Sequence, residues 1–303
     1  IARDEPLASL RVSEPMGGAP RLITFTDGAI CEVSDHAGLS ALLAQTGYQE
    51  KAVVRWQQNG LWVIGSLVFS IAFIWAGYRY GLPVFADVIA QQLPEKSIAK
   101  LGEHVLEALD ESVFKPSELP AERQKQLIDG FEKLAPPNGK KVSHTIHFRK
   151  SPEIGANAFA LPSGDIVMTD ELVALAKDDR EVHAVLAHEL GHLEKRHSLR
   201  QLLQGTIVGL VVSWYLGDVS SILASAPAAI LQARYSRDFE READVFGASM
   251  LKSNNISPGY LANMLERLEK AHGRESAADN DGGNDYFATH PGTSERVRVL
   301  REQ

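Results

Sequence analysis

The sequence contains a single cysteine, Cys31, among its 303 residues. One thiol cannot form a disulfide framework or a cysteine-based zinc site within the chain. The sequence also lacks a basic excess, because 31 Lys and Arg residues stand against 39 Asp and Glu residues, a formal net charge of -8. This charge argues against nucleic-acid binding, which needs a basic surface to meet phosphates. Any metal ion in this chain must therefore be held by histidine and carboxylate side chains.

Internal repeats are also absent, and 44% hydrophobic and 23% charged residues are close to the values of globular proteins. This composition excludes a collagen, a disordered chain and a coiled coil. The length is sufficient for about two domains with buried cores. The mean hydropathy of -0.14 is that of a soluble protein. That average conceals two concentrated apolar segments.

Residues 1–58 predict a small module of two strands and a helix. Two short apolar runs meet at Asp27 and Gly28, a dipeptide that favours a tight hairpin turn. Asp35 can cap the helix that follows over 37–46. No residue of this module carries recognisable chemistry.

The first apolar segment, residues 61–78, is the uncharged run LWVIGSLVFSIAFIWAGY. A helix of this length rises about 27 Å, close to the thickness of the hydrocarbon core of a bilayer. Aromatic residues lie at both ends of the run, and Arg55 and Arg79 flank it, as at a membrane interface. We therefore expect a single transmembrane anchor over 59–82, with a buried core helix as the alternative.

The segment His188-Glu189-Leu190-Gly191-His192 matches the pattern H-E-x-x-H within a run of helical apolar spacing. Positions four apart share a helix face, so His188 and His192 can bind one Zn2+ ion. Glu189 lies beside the first histidine and can take a proton from zinc-bound water. The pattern predicts one catalytic zinc ion per chain; two surface histidines on a solvated helix are the alternative.

A third zinc ligand distinguishes the subclasses of such peptidases. The metzincin pattern requires Gly and His where this chain has Lys195 and Ser198. A later acidic helix offers a carboxylate instead, because Glu240 and Asp244 share a face, whereas Glu242 points elsewhere. We assign Glu240 to the metal and Asp244 to a hydrogen bond with an imidazole N–H. A solvated acidic helix is the alternative.

Four short motifs follow one another along the chain. They are N-A-F-A-L-P at 157–162, V-L-A-H-E-L-G-H at 185–192, the acidic run from Ser236 to Asp244, and T-H-P at 289–291. In this combination the sequence from Ser143 to Arg301 resembles the HtpX and CAAX-prenyl-protease type of zinc metallopeptidases, peptidase family M48, which includes OMA-type proteases. The resemblance implies that His188, His192 and Glu240 hold the zinc ion.

The resemblance also implies an edge strand that pairs with the backbone of a peptide substrate. Its residues are Asn157, Ala158, Phe159 and Ala160. His290, in the T-H-P motif, occupies the family position of a histidine that can stabilise the developing oxyanion. It could instead bind the metal in a resting state, or be a structural histidine. His197, by contrast, is interpreted as an ordinary packing or surface residue.

The second apolar segment, residues 205–233, carries one charge, Asp218. The metal ligands precede and follow this segment and must lie on one side of a bilayer, so the segment crosses it twice or not at all. Two crossings need roughly 40 apolar residues, more than are present. We therefore expect a helical hairpin that packs over the site or lies at the membrane interface, with deeper insertion into the membrane as the alternative.

These observations predict an α+β, mainly helical fold. A small N-terminal ββα module over 1–58 and a transmembrane anchor over 59–82 precede a zincin-like metallopeptidase domain with a small antiparallel sheet over 88–303. The apolar hairpin over 205–233 belongs to that domain, and the loop over 273–285 is interpreted as mobile.

The predicted function is that of a membrane-anchored zinc endopeptidase acting on protein or peptide substrates, among them misfolded or membrane-associated proteins. Membrane lipid is the second expected partner, and no nucleic acid is expected. We expect no signal peptide, and we favour a single-pass protein of the bacterial inner membrane with a periplasmic peptidase domain; the opposite orientation stays open. The alternative function is a non-catalytic, zinc-stabilised chaperone-like or membrane-interaction protein. Charged residues on the motif helix argue against a zinc site inside the bilayer.

Overall fold

The computed structural model describes residues 5–14, 19–46, 59–137, 139, 141–216, 236–275, 290 and 294–303. The chain divides into two compact units, 1–79 and 80–303. Some of the predictions above fall outside the described residues. They concern Arg55, the second half of the apolar hairpin over 217–233, the loop over 276–285, and Thr289 and Pro291 beside His290.

The first unit contains a three-stranded antiparallel sheet followed by a helix. The elements are β1 (Arg11–Val12), β2 (Arg21–Thr24), β3 (Ile30–Val33) and α1 (His36–Gln45). Between β2 and β3, Gly28 has a φ of 83°, a left-handed conformation that glycine adopts without strain. Asp35 caps α1 by accepting a hydrogen bond from the backbone N–H of Gly38. The predicted hairpin and cap are therefore present, and β1 is a strand that sequence reasoning missed.

The first apolar segment forms helix α2 (Gly60–Ala76), which continues through a π-helical turn over Gly77–Gly81 into α3 (Leu82–Gln92). Together they make a 33-residue helix, the one helix among the described residues that is long and apolar enough to cross a membrane. None of the residues of α2, all of which the structure describes, is buried.

The second unit contains a four-stranded sheet of order β4-β5-β7-β6. Its strands are β4 (Lys115–Pro116), β5 (Thr145–Lys150), β6 (Ala158–Ala160) and β7 (Asp165–Thr169). The predicted mainly helical α+β fold with small sheets is confirmed. This sheet is mixed rather than wholly antiparallel, because β5 and β7 run parallel. The chain leaves β5, crosses to the opposite edge, and returns through the β6–β7 hairpin in the direction of β5.

The remaining helices of the second unit follow in chain order. They are α4 (Glu95–Ser112), α5 (Ala121–Glu132), α6 (Asp170–Leu175), α7 (Asp179–Glu194), α8 (His197–Leu216), α9 (Arg237–Ser253), α10 (Gly259–Glu275) and α11 (Ser294–Glu302). Helix α8 contains the first part of the second apolar segment, and Val211 and Trp214 on it are exposed. Asp178 and Ser236 cap α7 and α9 with their side chains, which fixes where the two helices begin.

Helices α7 and α9 approach each other closely at two glycines. A Cβ atom on Gly191 would lie 3.0 Å from the Cα of Ala243, and one on Gly247 would lie 3.2 Å from the backbone N of His188. Any side chain at either position would therefore push against backbone atoms of the facing helix. Buried apolar residues of both helices pack around this contact; they include Val185, Leu186, Leu190, Phe246 and Met250. The contact places the motif face of α7 against α9.

Candidate metal centre

Helix α7 carries both histidines of the H-E-x-x-H motif on one face. His188, Glu189 and His192 are fully buried. The four-residue spacing places the two imidazoles one helical turn apart, with their Nε2 atoms separated by 3.1 Å. Buried rings of this kind need polar partners inside the protein, because no bulk water reaches them.

Helix α9 supplies the carboxylates that face these rings. The Oε2 of Glu240 lies 3.6 Å from the Nε2 of His188, and its Oε1 lies 3.4 Å from the Nε2 of His192. One turn later, the Oδ1 of Asp244 lies 3.0 Å from the Nδ1 of His188. The structure thus brings both predicted carboxylates to the histidines, with Glu240 at the Nε2 atoms and Asp244 at an Nδ1 atom.

His290 joins this cluster from a distant part of the chain. Its Nδ1 lies 3.0 Å from the Oε1 of Glu240, and its Nε2 lies 3.6 Å from the Oε1 of Glu189. It is fully buried. The potential ligand atoms of His188, His192, Glu240 and His290 all lie within 4.8 Å of one another.

The spacing of these atoms fits a zinc ion. Ligands about 2.0–2.1 Å from a tetrahedral ion are separated from one another by roughly 3.3 Å. The separations among His188, His192 and Glu240 are 3.1, 3.4 and 3.6 Å. Both oxygens of Glu189 are buried and have no hydrogen-bond partner of normal geometry among the described residues. Such a carboxylate is expected beside a position that receives a further ligand.

The protonation states also suit a metal centre. Burial lowers the pKa of His192 to about 3, so its ring is neutral at neutral pH. Burial works against the ionisation of Glu240, but the charges of His290 and Arg296 keep its pKa well below the ordinary value. Burial likewise works against a charge on His290, but the carboxylates of Glu240 and Glu189 raise its pKa. A neutral imidazole and an ionised carboxylate are the forms that bind metal, so His192 and Glu240 have the required forms, whereas the raised pKa of His290 favours a protonated ring that donates hydrogen bonds.

Arg296 is a functional residue that sequence reasoning missed. It lies on α11, is buried, and binds both carboxylates of α9. Its Nη1 is 2.5 Å from Glu240, and its Nε and Nη2 are 2.6 and 2.8 Å from Asp244. Burial works against the ionisation of Asp244, but the hydrogen bonds from His188 and Arg296 hold its pKa below the ordinary value. No local signal identifies Arg296, because α11 has the sequence of a charged surface helix, SERVRVLRE.

Of the two interpretations of His197, packing or surface residue, the structure supports packing, and it adds contacts with His192 and Glu242 that the sequence did not indicate. The ring is fully buried, with its Nδ1 2.9 Å from the Nδ1 of His192 and its Nε2 3.1 Å from the Oε2 of Glu242. The reason is that α7 ends at Glu194 and Arg196 has a left-handed φ of 53°. Helix α8 then begins at His197, whose side chain turns back toward His192.

The predicted substrate strand lies at the edge of the mixed sheet, where β6 pairs with β7 on one side. Asn157, Ala158, Phe159 and Ala160 are buried, and β6 packs against α7. The chain's own side chains bind the outer backbone groups of the strand. The Oδ1 of Asn157 accepts from the N–H of Ala158 at 2.8 Å, and the Oγ of Ser198 donates to the carbonyl of Ala160 at 2.5 Å.

Two family models match this chain. The model of peptidase family M48 matches residues 121–303, which include every residue of the cluster. A second model, described as a domain of unknown function (DUF7092), matches residues 1–46.

Several characterised proteins are similar to part of the chain. The mitochondrial metalloendopeptidase OMA1 of Arabidopsis thaliana is 32% identical over 149 residues, which are 48% of this chain and 29% of that protein. The metalloprotease LoiP of Escherichia coli strain K12 is 29% identical over 174 residues, 55% of this chain and 64% of that protein. The beta-barrel assembly-enhancing protease of Yersinia pestis is 29% identical over 146 residues, 43% of this chain and 30% of that protein. The chain spans less than two thirds of each of these relatives.

Proposed function

The chain belongs to peptidase family M48, and from this premise we propose that it is a membrane-anchored zinc endopeptidase that hydrolyses peptide bonds of protein substrates. One observation carries the proposal: buried donor atoms of His188, His192, Glu240 and His290 lie within 4.8 Å of one another. The family is one of metallopeptidases, and the relatives include a metalloendopeptidase and a metalloprotease. We propose one zinc ion per chain.

His188, His192 and Glu240 are the proposed zinc ligands. When bound, a zinc ion would polarise the scissile carbonyl and lower the pKa of a water molecule. The Oδ1 of Asp244 lies 3.0 Å from the Nδ1 of His188, where it would receive the Nδ1–H and leave the Nε2 lone pair of that ring for the metal. Arg296 pairs with both carboxylates and favours their ionised forms.

Glu189 is the proposed general base. Its carboxylate takes a proton from the attacking water and returns it to the nitrogen of the leaving amine. Burial raises the pKa of Glu189, so this carboxyl holds an acquired proton more firmly than an exposed glutamate does. The same burial excludes bulk water that would exchange the proton before the amine receives it.

Two functional roles are proposed for His290, one during catalysis and one in the resting state. Its Nε2 faces Glu189, where a donor can stabilise the developing oxyanion. Its place among the four donors also allows metal binding in a resting state. A structural role is the third reading. If His290→Ala leaves turnover intact, the oxyanion role is contradicted.

We propose that β6 binds the substrate backbone through the outer groups of Ala158 and Ala160. Those groups now bond to Asn157 and Ser198, so a substrate strand must exchange these hydrogen bonds for its own. Backbone pairing of this kind reads few side chains, which suits a peptidase acting on misfolded or membrane-associated proteins.

The proposed arrangement in the membrane places an anchor over 59–82, between the module of 1–58 and the peptidase domain over 88–303. The exposed, uncharged surface of α2 supports this anchor and membrane lipid as a partner. A net charge of -8 supports the absence of a nucleic-acid partner. We favour a single-pass protein of the bacterial inner membrane with a periplasmic peptidase domain and an apolar hairpin over 205–233.

A second candidate function follows from His290. Catalytic zinc keeps an open position for water, whereas structural zinc is closed by four protein ligands. Because His290 offers a fourth donor, the cluster also fits a zinc-stabilised, non-catalytic protein.

The variant Glu189→Gln separates these two functions. We expect it to retain zinc and to lose at least about 100-fold in casein hydrolysis, because the amide cannot accept the proton. Metal analysis and a proteolysis assay on the full chain in detergent provide the measurements. Glu269→Gln, an exposed position on α10, is the matched control and should equal the wild type. Equal hydrolysis by Glu189→Gln would remove the assigned base; a zinc-loaded wild type without hydrolysis would favour the non-catalytic protein.

A further inference from the structure

The two histidines of the motif differ in the group that faces their Nδ1 atoms. The Nδ1 of His188 faces a carboxylate, Asp244, at 3.0 Å. The Nδ1 of His192 faces another imidazole, that of His197, at 2.9 Å. A ring that binds metal through Nε2 carries its proton on Nδ1 and must donate it to an acceptor. For His192, an acceptor at hydrogen-bond distance from Nδ1 within the described part of the chain is the Nδ1 of His197.

The direction of each hydrogen bond follows from the carboxylate of Glu242, which lies next to His197. Nδ1 of His197 can accept only if the ring carries its proton on Nε2. That Nε2 lies 3.1 Å from the Oε2 of Glu242, and an ionised carboxylate accepts but does not donate. The bonds therefore run in one direction, from His192 to His197 and from His197 to Glu242.

The ring of His197 is held in place by its neighbours. It stacks on Phe239 with ring centroids 4.2 Å apart and an angle of 8° between the planes. The guanidinium of Arg200 lies 4.5 Å from the same phenyl ring and 3.9 Å from the Oε2 of Glu242. Stacking thus restricts the plane of the His197 ring, and the contact of its Nε2 with Glu242 selects Nδ1 as the nitrogen that faces His192.

From this geometry we propose that His197 is a positioning residue that holds His192 in its metal-binding tautomer and orientation, and that Glu242 fixes the tautomer of His197. The inference rests on the proposed function, because it takes His192 as a zinc ligand. It assigns a role to two residues that the motif itself does not include.

The substitutions His197→Phe and His197→Asn test the proposal. Phenylalanine keeps the stack on Phe239 but has no acceptor, whereas the Oδ1 of asparagine can take the place of Nδ1. We expect His197→Phe to weaken zinc binding about 10–100-fold, the usual range for losing a partner of a ligating histidine, and His197→Asn to recover most of it. Zinc affinity is measured by chelator competition on the full chain in detergent, and the visible spectrum of the cobalt-loaded chain reports ligand geometry. His147→Phe is the control, because it removes a histidine–carboxylate contact of 2.8 Å on β5.

Wild-type zinc affinity and an unchanged cobalt spectrum in His197→Phe would overturn the proposal, as would equal losses in the Phe and Asn variants. If His197→Phe does not fold, Glu242→Gln decides, because this position is half-exposed. A zinc affinity of Glu242→Gln below that of the wild type supports the proposal, and an unchanged affinity overturns it. His192→Ala distinguishes failure of the proposed function from failure of the positioning role. Intact zinc binding in His192→Ala would contradict the proposed function. Loss of zinc binding in His192→Ala but not in His197→Phe would contradict the positioning role alone.

Discussion

Helices α7 and α2 have nearly the same length, 16 and 17 residues, but opposite relations between polarity and burial. Helix α7 is buried along most of its length and carries the ionisable residues of the metal centre. Helix α2 has no charged residue, and none of its residues, all of them described, is buried. Each helix therefore places its side chains in an environment that would be unfavourable without a specific partner.

The difference shows where the partners must come from. Buried groups of α7 find them inside the protein: Glu181 pairs with Arg267 at 2.6 Å, and His188 pairs with Asp244 at 3.0 Å. For α2 the surroundings have to be apolar, because residues such as Phe69 and Ile74 are each 69% exposed. The stability of α7 is thus a matter of internal pairing, and that of α2 a matter of the solvent around it.

Removing Arg296, the buried partner of Glu240 and Asp244, should have the largest effect on the free energy of unfolding. Arg296→Leu leaves the carboxylates of Glu240 and Asp244 buried without their cation, and we expect a loss of about 3–5 kcal/mol in the free energy of unfolding. Chemical denaturation of the metal-free chain measures it. Arg298→Leu on the same helix is the control: Arg298 is exposed and 4.0 Å from Glu302, so its loss should be below about 1 kcal/mol. Equal losses in the two variants would contradict the internal pairing.

A methyl group placed on a glycine of each helix tests the packing. In α7, Gly191→Ala would press against the backbone of Ala243, and we expect a loss of about 1–3 kcal/mol with weaker zinc binding. In α2, Gly65→Ala meets nothing within 4 Å, and the higher helix propensity of alanine should be neutral or stabilising by up to about 1 kcal/mol. Thermal unfolding and chelator competition compare the pair. A loss of the same size at Gly65 would show that α2 is packed like α7.

The response of stability to acid should also distinguish the second unit, through Asp165 on its strand β7, from helix α2. A hydrogen bond with His147 holds the pKa of Asp165 in β7 below its ordinary value of 3.8. Because the folded-state pKa is the lower one, this stabilisation is complete above about pH 4 and is lost as the pH falls through the folded-state value. We expect Asp165→Asn to lower the free energy of unfolding at neutral pH by about 1 kcal/mol. It should also make the melting temperature less dependent on pH below pH 4. An unchanged acid response would exclude Asp165 as its source; α2 has no titratable residue.

The smallest effect on folding is expected in α2. Ile71 is 59% exposed, so Ile71→Asp should change the free energy of unfolding of the peptidase domain by less than about 0.5 kcal/mol. The same substitution should weaken insertion into lipid vesicles by about 3 kcal/mol. Vesicle flotation beside casein hydrolysis measures both, with Ile71→Val as control. Unchanged flotation would contradict the anchor.

The residues that sequence reasoning identified follow regular local patterns. His188, His192, Glu240 and Asp244 could be predicted because each pair repeats at helical spacing, and the structure brings them to one point. Asp35 follows the chemistry of a helix cap. These features depend on a few neighbouring positions, which a single sequence shows.

The missed features depend on geometry that the local pattern does not contain. His197 reaches His192 only because α7 ends and Arg196 turns the chain. Arg296 reaches Asp244 across 52 residues, from a helix with the composition of a surface element. The parallel pairing of β5 and β7 likewise depends on how the chain crosses between them. Helix ends and long-range contacts are settled by packing, which explains why these parts escaped prediction.

The glycine contact between α7 and α9 limits how closely the two helices can approach each other. At Gly191 and Gly247, backbone atoms rather than side chains set the distance between the helices. Van der Waals contact of backbone atoms therefore sets the closest approach of the two helices, and no change of rotamer can narrow it. Substitutions in the surrounding apolar residues can raise or lower the stability of the domain, while the closest approach of the two backbones stays the same.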